Sequence, residues 1–216
     1  MREFQCEAIL FDLDGVLVDS TASVVAVWSA WSERNGIPSA RTLEVIHGRR
    51  TIEALQILAP HLDLESEVEK IEAAVTGQQG GTTALPGAAE LLASLPGGRW
   101  GVVTSGLREF AKIRLRDAKL PIPPVLVTAD DVSHGKPHPE PYLHGAMLLG
   151  AAATECLVFE DAPAGLQSAH AGGMKAVGVA TTYGASELGE ADAVIQTLSQ
   201  VRLSQRNGRL QIRVQK

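Results

Sequence analysis

Residues 8–20 read AILFDLDGVLVDS, an apolar run that ends in two aspartates, Asp12 and Asp14, one residue apart. A short, continuously apolar segment bounded by polar residues is the pattern of a strand buried on both faces. Like charges so close repel each other, and a carboxylate at the mouth of a core is costly unless a cation or a proton compensates it. The segment therefore predicts a buried strand whose C-terminal end needs a positive partner.

Four more runs of the same kind follow: WGVVT (100–104), VLVT (125–128), CLVF (156–159) and KAVGV (175–179), with AVI (193–195) as an edge strand. Helical stretches separate them. ELLASL follows Pro86, REFAKIRLRDA continues from Ser105, PEPYLHGAMLLG begins with Pro139, and AGLQSAHAGG ends in paired glycines. Strands alternating with helices predict a doubly wound α/β fold with a parallel sheet. The interval between the first strand and Pro86 has no strand pattern. There Val24, Val27, Trp28 and Trp31 repeat at helical spacing, after a cap at Asp19 or Ser20 and before a stop at Gly36, and residues 51–58 and 65–75 behave similarly. This predicts an inserted helical cap over residues 17–82 on a discontinuous core of residues 1–16 and 83–216. The residues after Asp14 and the stretch GQQGGTT (77–83) read as its two flexible linkers. Near the C-terminus, Asn207-Gly208 between two alternating runs signals a hairpin.

With 216 residues, 45% of them hydrophobic, the chain suits one sizeable domain or one carrying an insertion. A formal charge of −6 with both signs interleaved gives no basic face for nucleic acid. No stretch reaches the length of a membrane span, and the N-terminal residues pass straight into a strand pattern, so a cytoplasmic protein without a membrane partner is expected. Cys6 and Cys156, far apart and next to predicted strands, read as buried free thiols rather than a disulfide or metal pair. A monomer or weak dimer is the expected state.

In an open α/β sheet the loops at the carboxyl ends of the strands converge on one crevice. Those loops hold Asp12, Asp14 and Gly15, then Thr104, Ser105 and Gly106, then Lys136, then Glu160 and Asp161. Each has an ordinary explanation on its own: a turn, a helix cap, a solvated lysine, acids favouring a helix start. Together, in order and each at a strand end, they suit a hard cation and a phosphoryl group, and Mg²⁺ is the compensation the first strand asks for. Asp12 is then the nucleophile that takes phosphorus, and Asp14 the acid and base. Thr104 and neighbouring N–H groups, with Ser105 and Gly106 as substrate contacts, bond the equatorial oxygens, and Lys136 neutralises developing charge. Asp161, with Glu160 as a second candidate, holds the metal alongside Asp12 and the Asp14 carbonyl.

FDLDGVLVDS, VVTSG, HGKPHPEP and VFEDAPAGLQSAHAGG together resemble the four motifs of the haloacid dehalogenase superfamily, over nearly the whole chain. The resemblance implies a Rossmann-like core with a mobile helical cap, and its Asp14 and acidic fourth motif look like the Mg²⁺-dependent phosphatase and mutase branches. HGRRT, TSG followed by Arg108, GKPHPEPY, and FEDAPAG continuing to GVATTYG are most similar to glycerol-phosphate and 2-deoxyglucose-6-phosphate phosphatases, which implies a small phosphorylated metabolite as partner. β-Phosphoglucomutase relatives carry a His in the first cap helix, where this chain has Val24.

In the cap, Gly48 permits a turn that points one arginine of HGRRT at the crevice. The resemblance favours Arg50 there, with His47 as a second substrate contact, and Arg49 as a solvated neighbour. Trp28 and Trp31 read as core packing of the cap, Arg108 as either a phosphate contact or a helix start, and His134 and His138 as loop hydrogen-bonders with no carboxylate cluster beside them. Two alternatives stand beside a phosphatase: a phosphosugar mutase, and a receiver-like phospho-acceptor switch, which gathers similar residues but lacks a large helical insertion after its first strand.

Overall fold

The computed structural model describes residues 2–46, 48–77 and 82–215. The chain runs through β1 (Arg2–Cys6), β2 (Ala8–Phe11) and β3 (Val18–Asp19) into four helices, α1 (Thr21–Arg34), α2 (Ser39–Ile46), α3 (Thr51–Leu58) and α4 (Leu64–Thr76), and returns through β4 (Thr83–Ala84). It continues as α5 (Ala88–Ser94), β5 (Trp100–Val103), α6 (Arg108–Asp117), β6 (Leu126–Val127), α7 (Glu140–Leu148), β7 (Cys156–Glu160), α8 (Pro163–Ala171), β8 (Lys175–Val179) and β9 (Ala193–Ile195), and ends in β10 (Val201–Arg206) and β11 (Arg209–Val214).

Six strands form a wholly parallel sheet in the order β6-β5-β2-β7-β8-β9, which puts the strand of the aspartate pair between β5 and β7. Every residue of β2, β5 and β7 is buried, which is why each reads as an unbroken apolar run. Alternate residues still face opposite ways. Ile9, Phe11, Leu157 and Phe159 enter one core with Leu92 of α5 and Leu115 of α6, whereas Leu10, Val103 and Val158 enter a second with Tyr142 of α7 and Leu166 of α8. Phe11 and Phe159, paired in register, stack with centroids 5.2 Å apart.

The C-terminal hairpin turns at Asn207 and Gly208, whose φ values of 51° and 76° supply the two left-handed residues that a two-residue turn matched to strand twist requires. β11 also pairs with β1, so the N-terminal strand completes a three-stranded antiparallel sheet. Cys6 and Cys156 are buried free thiols, and no helix among the described residues is long and apolar enough to cross a membrane.

The four helices α1–α4 enclose a cluster of their own, built on Val27, Trp28, Trp31, Leu55 and Ile71. Where the chain leaves the sheet for these helices and where it returns, β3 and β4 pair antiparallel, Val18 with Ala84 and Asp19 with Thr83. Within the expected linker GQQGGTT, residues 78–81 lie outside the described residues. Asp19 rather than Ser20 receives the first amide of α1, Thr21 N, at 3.0 Å. The Ser20 hydroxyl turns the other way and donates to Asp14 Oδ1 at 2.5 Å.

Phe159→Ala removes a ring from the middle of the sheet and is expected to cost about 3–5 kcal/mol in denaturant unfolding. A loss within the roughly 0.5 kcal/mol of a surface substitution would contradict this packing.

Candidate active site

Asp12 follows β2 directly and keeps the ladder intact by donating its N–H to Phe159 O at 2.9 Å. The chain then turns at Gly15, with φ of 80°, where a Cβ would stand 1.9 Å from Asp161 Oδ2. Only glycine lets the first loop lie against the fourth. Thr104 and Ser105 follow β5, and Glu160 ends β7 with Asp161 next to it.

Lys136 is 1% exposed and joins these loops. Its Nζ donates to Asp12 Oδ1 at 2.6 Å, to Glu160 Oε1 at 2.6 Å and to Val103 O at 3.1 Å, so one ammonium ties the ends of β2, β5 and β7. Glu160 Oε1 also accepts from Tyr142 OH at 2.8 Å, and its Oε2 accepts from the backbone N–H groups of Asp161 and Ala162 at 3.0 and 3.2 Å. Both oxygens of Glu160 are therefore engaged by the protein itself.

Burial pushes the Asp12 carboxyl up to about 7, against the pull of Lys136 and with help from the Glu160 charge. Asp161 is driven well above the carboxylate range by burial and by Asp12 and Glu160 beside it. Burial acts against the charge on Lys136, but Asp12 and Glu160 outweigh it and hold the ammonium above its ordinary range. Oxygens of Asp12, Glu160 and Asp161 all lie within 4.8 Å of one another. Lys136 pairs with Asp12 and Glu160, Asp161 stands beside them, and clustered hard oxygens of this kind fit a hard divalent cation.

Beside them opens a cavity of about 120 Å³. The core contributes Asp12, Asp14, Thr104, Ser105, Gly106, Arg114 and Asp161 to its wall, and the helical module contributes Val24, Trp28, Arg49, Thr51 and Glu72. Lys136 and Glu160 stand outside this wall and reach Asp12 and each other. Thr104 Oγ1 accepts from Gly106 N at 3.1 Å, and Ser105 Oγ donates across to Gly48 O of the helical module at 3.1 Å. Trp28 packs edge-on against Trp31 while also meeting the cavity.

The arginine of HGRRT that meets the cavity is Arg49, and the expectation for Arg50 is corrected. Arg50 pairs with Glu53 at 2.7 Å and donates to Val132 O and Ser133 O at 3.0 and 2.9 Å, while Glu53 accepts from Gly135 N at 3.0 Å. Arg50 therefore fastens the helical module to the loop that carries Lys136. His47 lies outside the described residues. Arg108 is a helix-start anchor, bound to Asp131 through its guanidinium and to Asp130 through its backbone N–H. His134 and His138 do make loop hydrogen bonds, but a carboxylate accompanies them: Glu140 Oε2 lies 3.0 Å from His134 Nδ1, and Glu140 N donates to His138 Nδ1.

Two charged residues of the wall, Arg114 and Glu72, escaped the sequence reading. Arg114 is 6% exposed; its NH1 donates to Asp14 Oδ2 at 2.8 Å and its NH2 lies 3.6 Å from Glu72 Oε2. Their signal was positional. Arg114 falls in the stripe of Ala111, Leu115 and Ala118, and Glu72 in that of Val68, Ile71 and Val75, where a charged residue is out of place.

A buried lysine bridging strand-end acids beside a small cavity with carboxylates and hydroxyls in its wall is the arrangement of an α/β hydrolase that handles phosphoryl groups. The chain belongs to the haloacid dehalogenase-like hydrolases, whose family profile matches residues 9–179. It is 41% identical over 210 residues to hexitol phosphatase A of Escherichia coli (strain K12), covering 94% of this chain and 97% of that protein. It is 36% identical to glycerol-1-phosphate phosphohydrolase 1 of Saccharomyces cerevisiae, covering 93% and 86%. A solved hydrolase from Pseudomonas syringae superposes with a TM-score of 0.80 at 33% identity, over 90% of this chain and 94% of that one.

Glu140 also accepts from the backbone N–H groups of Ser133 and His134 at 2.8 and 2.9 Å, and these bonds with His134 hold its carboxyl down to about 2. A depressed carboxyl stabilises the fold above its ordinary value of 4.5 and loses that contribution as pH falls toward 2. Glu140→Gln is expected to flatten the decline of melting temperature across that window. An unchanged slope would show that the loop around Lys136 does not depend on this carboxylate.

Proposed function

We propose that the protein is a Mg²⁺-dependent phosphomonoesterase for small sugar or polyol phosphates, working through an aspartyl-phosphate on Asp12. The observation that carries this reading is the Lys136 ammonium held between Asp12 and Glu160 at the edge of a cavity of about 120 Å³, well under the 300–1,000 Å³ of drug-sized pockets. The hexitol and glycerol-1-phosphate phosphatases similar to the chain support the substrate class.

Asp12, Asp161 and the Asp14 carbonyl would hold the cation, which when bound screens the substrate's phosphate so that an anionic nucleophile can approach. Glu160, with both oxygens engaged, orients Lys136 instead of serving as a ligand. An Asp12 oxygen attacks phosphorus and the ester oxygen departs with a proton from Asp14. Water then gives a proton back to Asp14 as it attacks the acyl phosphate, which releases inorganic phosphate and restores Asp12. Ser20 and Arg114, at 2.5 and 2.8 Å, fix the direction of the Asp14 carboxylate. Thr104, Ser105 and Gly106 bond the phosphoryl oxygens, and Lys136 offsets the charge that builds on them.

Residues 17–82 act as a cap on the core of residues 1–16 and 83–216, and the Ser105–Gly48 and Arg50–Ser133 contacts support that role. Val24 in the cavity wall disfavours the mutase alternative, because an apolar side chain cannot orient a sugar hydroxyl as a His can. The four helices after the first strands disfavour a receiver-like switch. A cytoplasmic setting suits two thiols that stay free.

Phosphate release from a panel of sugar and polyol phosphates is expected to require Mg²⁺. Asp12→Asn should lower it by about 10⁴-fold or more, the order of loss when a nucleophile is removed. Turnover that survives both chelation and Asp12→Asn would refute the mechanism.

A further inference from the structure

Glu72 is 5% exposed in the wall of the cavity, on a helix face otherwise made of Val68, Ile71 and Val75. A carboxylate there is costly compared with an apolar residue that would complete the stripe. Burial raises its carboxyl above the ordinary range, while Arg114 and the Thr51 hydroxyl draw it back. Thr51 Oγ1 donates to Glu72 Oε1 at 2.5 Å, which fixes the side chain, and Oε2 lies 3.6 Å from Arg114 NH2.

Arg114 is already bound to Asp14 at 2.8 Å, and its buried Nε has no hydrogen-bond partner. One guanidinium thus stands between two carboxylates, so among the described residues this part of the cavity offers hydrogen-bonding groups and no unshared positive charge. The other arginine of the cavity wall is Arg49, and its neighbour Gly48 lies against Ala162 and Ala164 just beyond β7. The end next to Asp14, where the ester oxygen departs, is the end that Glu72 faces through Arg114.

We infer that Glu72 is a specificity-determining residue that selects neutral, hydroxyl-bearing leaving groups. This rests on the phosphatase reading above and deepens it. The carboxylate accepts a hydrogen bond from a hydroxyl of a polyol or sugar, and it repels a leaving group that carries a carboxylate or a second phosphate. Discrimination of this kind is a difference between two substrates, and repulsion of the wrong one contributes as much as attraction of the right one.

The test is the ratio of kcat/KM for glycerol 1-phosphate to that for 2-phosphoglycolate, a phosphate ester of similar size with a carboxylate. Glu72→Gln keeps the shape and removes the charge. It is expected to lower the ratio by about tenfold or more, the worth of one hydrogen bond to a charged group. Equal losses on both substrates would reduce Glu72 to a support for Arg114 and overturn the inference. If melting shows that Glu72→Gln is unfolded, Glu72→Asp, which retains the charge but draws it back, must lower the same ratio, and an unmoved ratio there also overturns it. Wild-type protein that hydrolyses no polyol or sugar phosphate would overturn the reading of the whole site, whereas an active wild type with an unmoved ratio in the variant overturns only the role of Glu72.

Discussion

The Lys136 ammonium, buried between Asp12 and Glu160, is the interaction on which the rest of the site depends. An ion pair taken out of water is stable only when the remaining polar atoms are also satisfied. Here they are, through Val103 O, the Tyr142 hydroxyl and two backbone amides. The sheet can therefore end three neighbouring strands in polar groups without opening its core. Because each partner comes from a different strand end or loop, any slip in strand register would separate the charges and expose the fault at once.

The helical module is joined to this centre in two ways. Arg50 and Glu53 hold the loop before Lys136 from the outside, and Glu72, held by Thr51, meets Arg114 from within the cavity. The first is a set of backbone contacts indifferent to substrate. The second would face whatever is attached to the phosphate in the proposed reaction. In the proposed reaction the core would handle the phosphate and the module the remainder, since each side contributes its own residues to the wall.

Much of this was legible in the sequence because parallel strands buried on both faces are unbroken apolar words, and the residues after them fall by topology into one crevice. Asp12, Asp14, Thr104 and Asp161 could be placed together for that reason. What escaped depends on side-chain direction. Arg49 and Arg50 are adjacent, and only the turn at Gly48 and the start of α3 decide which enters the cavity. Arg114 looks like its neighbours Arg108 and Arg116 until helical phase is followed residue by residue. The pairing of β1 with β11 was hidden for another reason: a strand's partner from the far end of the chain leaves no local mark.

The crossing of β3 and β4 is sewn by two residue pairs, and its first strand is also bridged back to Asp14 through Val18. Gly15 N donates to Val18 O within the same bend, and Leu85 N to Leu17 O just beyond it. The link from the sheet to the helices and the peptide that carries Asp14 are thus one short length of backbone. A displacement of the helices as a body would twist that length first, so it would also turn the carboxylate to which the proposed reaction assigns the proton transfer.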